Sequence, residues 1–212
     1  MGGARQNLTI SVAGIEGIPV NATAAILNIT ASRPTADGEL MVCPANSISG
    51  CIPVSTFKGG IYAIAEAKMV ALNGGEVTIE YRGAGFVNVI VDVEGYETST
   101  VVSPVSPTKP RAVWAGYPTT TPMPITVSAP AGTTAVALRI TASGAKEDGY
   151  VTVYSSNSAS PVPLVSAINF AGNGESVTNV VFVPVGKLYL VTNGGDPLVT
   201  ITIVGNESEI QG

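Results

Sequence analysis

Two stretches of the sequence are nearly the same: TAAILNITAS at 23–32 and TAVALRITAS at 134–143. Seven of their ten positions are identical, at an offset of 111 residues. The same offset continues along the chain and aligns Gly75 with Gly186. Similarity that keeps its register over so many residues indicates an internal repeat. The chain is therefore two copies of one unit, each of about 95 residues.

The composition favours an all-β protein with many turns. The chain has 212 residues, which suits one large or two small domains. Hydrophobic residues make up 45% and charged residues only 12%, so the chain is expected to fold rather than stay disordered. The 24 glycines and 15 prolines supply turns between runs rich in Val, Ile and Thr.

Alternation of apolar and polar residues identifies the strands. In EVTIEYR (76–82), Val77, Ile79 and Tyr81 share one face, and LVTITIV (198–204) alternates in the same way. The run 61–72 is partly compatible with a helix, but its counterpart in the second copy is strongly β, so we predict a strand. The predicted strands lie near 7–13, 23–31, 39–43, 52–57, 64–72, 76–82, 86–93, 124–128, 134–142, 150–154, 163–169, 177–183, 187–192 and 198–204.

Short glycine-containing turns separate these strands. ALNGGE (71–76) and VTNGGD (191–196) carry Asn-Gly, and ADGE (36–39) and EDGY (147–150) carry Asp-Gly. These dipeptides are the strongest short hairpin signals. They predict hairpins at all four places.

Seven short strands per copy predict two tandem antiparallel β-sandwich domains, Ig-like or jelly-roll-like. We place the first sandwich at 1–97 and the second, with a short polar tail, at 124–212. The segment 98–123 is rich in Pro and Thr and lacks the N–H donors of a central strand, so it is predicted to be a linker or arm.

Two aromatic residues lie in this arm, Trp114 and Tyr117. They are candidate contacts with another protein surface, because an aromatic ring buries much apolar area on docking. The alternative is that both rings dock on their own domain.

The two cysteines, Cys43 and Cys51, flank a short turn after a strand. We favour a disulfide between them, which would contribute about 2–3 kcal/mol by loop closure and point to an oxidising environment. The alternative is a pair of free thiols.

The sequence offers little for catalysis. It contains no His, which excludes Ser-His-Asp and Cys-His systems and His-based zinc sites. Asp92 and Glu94 could serve as a glycosidase pair only in a cleft. The loops 146–149 and 193–196 could hold calcium but lack a ladder of ligands, and turn chemistry accounts for them better. We expect no enzyme activity, no cofactor and no metal.

The charge pattern bears on partners and location. The net charge is −5 and no basic cluster is present, so nucleic-acid binding is not expected.

No stretch reaches 18 apolar residues, so membrane insertion is not expected. The N-terminus lacks the apolar core of a secretory signal; either a signal has been removed or the protein never had one.

The first copy contains GIPVNATAAILNITASRPTADGELMVCP (17–44) and VNVIVDVEGYE (87–97), and in these segments it resembles a β-repeat of actinobacterial secreted and cell-surface proteins, which also occurs in proteins of their phages. That repeat reads approximately VPxxATAVxLNVT, then PTAxGxxTVYP, and closes on DVxGY. The second copy matches less well and has TIVGNE in place of the DVxGY ending. The matching positions of the first copy are Pro19, Ala22, Thr23, Ala24, Leu27, Asn28, Thr30, Pro34, Thr35, Ala36, Gly38, Pro44, Asp92, Val93, Gly95 and Tyr96.

Two functions follow as hypotheses. The first is a non-enzymatic structural protein of a tailed-phage particle surface, a capsid decoration or tail component, contacting other subunits and forming a homo-oligomer. The second is a secreted actinobacterial module of the cell wall that binds wall carbohydrate or protein. Against the second, only 6% of the residues are aromatic, and sugar-binding surfaces usually present exposed rings.

Overall fold

The computed structural model describes residues 5–47, 50–98, 106–156, 161–163 and 165–208. Within these residues the regular structure is all strand, in four antiparallel sheets. The described part of the chain holds no helix, and so none long and apolar enough to cross a membrane. The chain divides into two compact units, Met1–Val102 and Ser103–Gly212.

The first unit has two sheets around one core. One sheet has the order β1-β6-β3-β4 and the other the order β5-β2-β7. Both sheets contribute to a single cluster of buried apolar side chains, which includes Leu27 and Ile29 from one sheet and Leu40 and Ile79 from the other. The strands are β1 (Arg5–Ser11), β2 (Ala24–Ser32), β3 (Gly38–Pro44), β4 (Ile52–Phe57), β5 (Ala63–Ala71), β6 (Glu76–Gly83) and β7 (Asn88–Glu97).

The second unit repeats this plan with one strand more. Its sheets have the orders β12-β11-β14-β9 and β13-β10-β15-β8, and they share a core that includes Leu138, Ile140, Leu190 and Ile201. The strands are β8 (Ser106–Gly116), β9 (Met123–Val127), β10 (Thr133–Ser143), β11 (Gly149–Ser155), β12 (Ile168–Phe170), β13 (Ser176–Pro184), β14 (Gly186–Asn193) and β15 (Leu198–Ser208).

The period-two patterns of the sequence place the side chains as predicted. Val77, Ile79 and Tyr81 of β6 all join the first core, because alternate residues of a strand point to the same face. The ambiguous run 61–72 contains β5, so the strand prediction is confirmed there. The strand predicted near 163–169 is shorter than expected and is limited to Ile168–Phe170.

The two repeated phrases quoted above are equivalent central strands. β2 lies between β5 and β7, and β10 lies between β13 and β15. The pairs β1 and β9, β3 and β11, β4 and β12, and β6 and β14 likewise occupy the same places in their sheets. β8 has no counterpart among the described residues of the first unit.

The linker prediction for 98–123 is wrong over residues 106–116, which form β8 and pair with β15. β8 is an edge strand, so half of its N–H groups need no partner strand and prolines are tolerated. The register with β15 also shifts twice, between Ile201 and Thr202 and between Ile203 and Gly205. Bulges of this kind accommodate the residues that cannot join the ladder.

The four turn signals do not form the predicted hairpins. The Asn-Gly turns at 73–74 and 193–194 each connect strands that belong to opposite sheets of their unit, and so do the Asp-Gly pairs at 37–38 and 148–149. At the two Asn-Gly turns, Gly74 and Gly194 supply the positive φ that a tight reversal needs, whether or not the two strands then pair. The hairpin of neighbouring strands in the first unit is β3–β4, around the loop 45–51.

Candidate protein-interaction site

Strand β7 has an open edge. Its inner edge pairs with β2, and within the described residues no strand pairs with its outer edge. Three large apolar side chains of β7 are exposed: Ile90 by 48%, Val93 by 41% and Tyr96 by 46%. An edge strand with exposed apolar residues is a ready template for pairing with another chain.

Two of these side chains belong to the core-facing side of the sheet. Val93 lies opposite Leu27 and Tyr96 lies opposite Ala25, and both of these partners are buried in the first core. Residues directly opposite each other on neighbouring strands share a face. The core of the first unit is therefore incompletely covered along β7.

The equivalent strand of the second unit is covered. Leu27 and Leu138 are equivalent in the repeat, so their partners Val93 and Ile203 are equivalent too. Ile203 is only 2% exposed, whereas Val93 is 41% exposed. Both strands even carry an irregularity at the same place, opposite Leu27 and Leu138. β7 and β15 therefore differ mainly in whether another strand pairs with their outer edge.

β8 supplies this cover. It pairs antiparallel with β15, with Trp114 opposite Ile201, and both Val113 and Trp114 pack against the second core. The indole lies close to Gly116: a Cβ there would stand 3.2 Å from Trp114 Cζ2. The strand thus extends the sheet and also places an aromatic ring over the end of the core.

The two strands carry opposite charge. β7 has three acidic residues, Asp92, Glu94 and Glu97, and no basic residue. β8 has two basic residues, Lys109 and Arg111, which are exposed, and no acidic residue. Oppositely charged strands steer each other on approach and favour pairing over self-association.

The two predicted contact residues differ in burial. Trp114 is half-buried against the second core, in agreement with the alternative that its ring docks on its own domain. Tyr117, just beyond the end of β8, is 65% exposed. Of the predicted pair, Tyr117 is the exposed residue.

Cys43 and Cys51 form a disulfide with their Cα atoms 4.1 Å apart. Cys43 lies at the end of β3 and Cys51 directly precedes β4, one step beyond the opposite residues Val42 and Ile52. The bridge therefore closes the end of the β3–β4 hairpin. It is a structural link and lies on the sheet that does not contain β7.

The carboxylates considered for chemistry lie in structural positions. Glu94 falls at the bulge between Val93 and Gly95, so it and Asp92 do not continue a regular alternation. Asp148 accepts the N–H of Gly172, a residue 24 positions away in the chain, at 3.0 Å. Within the residues described, no group of three or more His, Cys, Asp or Glu side chains could hold a metal ion.

The open edge of β7 was not among the sequence-based predictions. No local pattern of the sequence marks it, because an open edge depends on the order of the strands in the sheet. Comparison of the chain with protein-family models, curated proteins and solved structures gives no match.

Proposed function

We propose that this protein is a non-enzymatic structural subunit at the surface of a tailed-phage particle, a capsid decoration or tail component. In this proposal it consists of two tandem Ig-like or jelly-roll-like sandwiches. It acts through protein–protein contacts with other subunits and forms a homo-oligomer on the virion surface.

The observation that carries the proposal is the exposed apolar strip of β7. Val93 and Tyr96 are exposed on the core-facing side of one open strand edge, in a chain in which only 12% of the residues are charged. Contiguous apolar surface on a folded protein commonly marks a surface for another protein. The resemblance of the first copy to repeats found in actinobacterial phages supports the choice of a particle over other assemblies.

Light scattering of the purified full chain over a range of concentrations tests this proposal. The expected result is a stable trimer or larger closed oligomer, because lattice subunits usually close under symmetry. A monomer at every concentration would contradict the homo-oligomer. A variant with Tyr117→Ala serves as a comparison, because Tyr117 is the most exposed tyrosine named above and lies outside β7.

A second candidate function rests on the disulfide and on Tyr117. The Cys43–Cys51 bridge suits an oxidising environment, and the exposed Tyr117 ring could stack on a sugar. Both features suit a secreted actinobacterial cell-wall module that binds carbohydrate or protein. A glycan screen distinguishes the two: this candidate requires a hit that Tyr117→Ala loses, whereas the particle subunit gives none.

A further inference from the structure

We infer that the outer edge of β7 is an acceptor site for a strand donated by a different protein. The donor has the chemistry of β8: an extended, basic segment with an aromatic residue that adds antiparallel to β7. The inference deepens the proposed assembly role and rests on it, because it names the kind of partner that the exposed strip meets.

The second unit gives the geometry of the donor. β8 pairs with β15 so that Arg111 lies opposite Ile203, Trp114 opposite Ile201 and Gly116 opposite Val199. Through the repeat, the equivalent positions of β7 are Val93, Val91 and Val89.

A donor in this register places each side chain against a suitable neighbour. Its aromatic residue lies opposite Val91, which is partly buried against the first core. Its basic residue lies opposite Val93, whose neighbours in the chain are Asp92 and Glu94. The sheet β5-β2-β7 would then gain the fourth strand that the sheet β13-β10-β15-β8 already has.

A second copy of this chain does not fit the site well. Antiparallel pairing of β7 with β7 would bring six carboxylates together with no basic residue, and like charges on facing strands are destabilising. Among the described strands, β8 alone has the right chemistry, and it is already paired with β15. Within the described residues each chain thus has two such edges, on β7 and β15, and a single donor, so we assign the donor for β7 to another polypeptide.

A peptide with the sequence of residues 106–116, SPTKPRAVWAG, is the probe for this site. Titration of the dye-labelled peptide with the full chain is followed by fluorescence anisotropy. We expect saturable binding that weakens as salt rises, because salt screens the attraction between the basic peptide and the acidic strand. A peptide with Lys109→Glu and Arg111→Glu should bind at least about tenfold more weakly.

Two protein variants locate the peptide on the chain. Val93→Lys puts a positive charge on the β7 edge and should weaken binding at least about tenfold. Val20→Lys is the matched control, because Val20 is 85% exposed and lies outside every strand, and it should bind like the unmodified chain. Hydrogen exchange of the unmodified chain gives a measurement independent of folding in the variants: the peptide should protect the amides of residues 88–97.

Four results would overturn the inference. One is no binding at peptide concentrations up to about 1 mM. Another is equal binding to both lysine variants. A third is protection of β15 in place of β7. The last is an oligomer of the unmodified chain that Val93→Lys dissociates, because a second copy would then occupy the edge.

The same experiments separate this inference from the proposed function. A chain that is monomeric and binds the peptide on β7 supports the acceptor site and contradicts the proposed homo-oligomer. An oligomer that does not bind the peptide contradicts the acceptor site but agrees with the proposed assembly role.

Discussion

At the scale of single residues, the two units share an aspartate–glycine hydrogen bond that does not align at the 111-residue offset of the repeat. Asp37 accepts the N–H of Gly59 at 2.9 Å, and Asp148 accepts the N–H of Gly172 at 3.0 Å. These two glycines lie 113 residues apart, two more than the offset of the opening phrases. The aspartates therefore recur because each fastens one loop to the start of a strand.

The glycine of each pair has no room for a side chain. A Cβ at Gly172 would lie 2.4 Å from Glu147 Cα, and one at Gly59 would lie 2.7 Å from Ala36 Cα. Both clashing atoms belong to the backbone, so no side-chain rotation can relieve the clash. Gly59→Ala and Gly172→Ala should each lower the free energy of unfolding by about 1–3 kcal/mol.

Chemical denaturation followed by circular dichroism measures this loss. Gly95→Ala is the control, because a Cβ there would meet only Ile26 Cδ1, at the ordinary contact distance of 3.5 Å. A loss at Gly95 as large as that at Gly172 would contradict the steric explanation.

The carboxyl of Asp37 should give the stability a dependence on acid. Hydrogen bonds from the Lys58 ammonium and from the Gly59 N–H lower the pKa of Asp37 below its ordinary value. A carboxyl with a lowered pKa stabilises the fold above its unfolded pKa of about 3.9, and this stability is lost as the pH falls through the folded pKa. Asp37→Asn removes the charge but can still accept the Gly59 N–H.

Melting temperatures of the unmodified chain and of Asp37→Asn, taken from neutral pH down to strong acid, test this dependence. The two should differ near neutral pH and converge in acid. High salt should reduce the difference at neutral pH, because Lys58 and Asp37 are exposed. A difference that persists at low pH would show that the carboxylate charge is not its origin.

At the scale of elements, the equivalent residues Cys43 and Tyr154 make different links to a neighbouring segment. Cys43 lies opposite Thr78 and is bonded to Cys51, whereas the equivalent residue Tyr154 lies opposite Tyr189. The two tyrosine rings stack with centroids 5.5 Å apart, and burial raises the pKa of Tyr154. The equivalent positions thus link different strands: Cys43 is bonded to the residue that precedes β4, whereas Tyr154 stacks on β14, the counterpart of β6.

Removing the bridge should destabilise the β3–β4 hairpin. The closed loop is short, with a sequence separation of 8, and the loop-closure estimate is about 2–3 kcal/mol. We expect this loss for the double variant Cys43→Ala/Cys51→Ala and for the unmodified chain under reductant, measured by chemical denaturation. Reductant should not affect the double variant. Two titratable thiols in the non-reduced chain would contradict the disulfide itself.

The sequence predicts the strands well because each one is a local pattern. β2, β6 and β10 follow from alternation and from the repeat, which need no knowledge of their neighbours. β8 was missed because its prolines exclude a central strand, and nothing local distinguishes an edge strand from a linker. The open edge of β7 depends on strand order, which alternation does not encode. The same turn residues serve hairpins and crossings between sheets, so they could not supply that order.

At the scale of the molecule, the units differ in how far each completes its own sheet. Each has its own hydrophobic core, so the segment 103–212 is expected to fold alone. Its sheet is complete because β8 belongs to it. The first unit lacks such a strand within the described residues and so leaves Val93 exposed.

Truncation should convert the second unit into a state like the first. A fragment of residues 117–212 lacks β8, so Ile201 and Ile203 would lose the strand and the indole beside them. Compared with the fragment 103–212, we expect it to be less stable by roughly 3 kcal/mol or more. The truncated fragment contains no tryptophan, because Trp114 is the single tryptophan of the chain.

The peptide of residues 106–116 should then dock on the truncated fragment and restore its stability. Its Trp114 emission should shift to shorter wavelength as the indole leaves water for the apolar end of the core. An unchanged emission, or equal stability of the two fragments, would show that β8 is not needed to complete the sheet. Because β7 is inferred to accept a strand on the evidence of β15, that result would also remove the physical basis for the acceptor site.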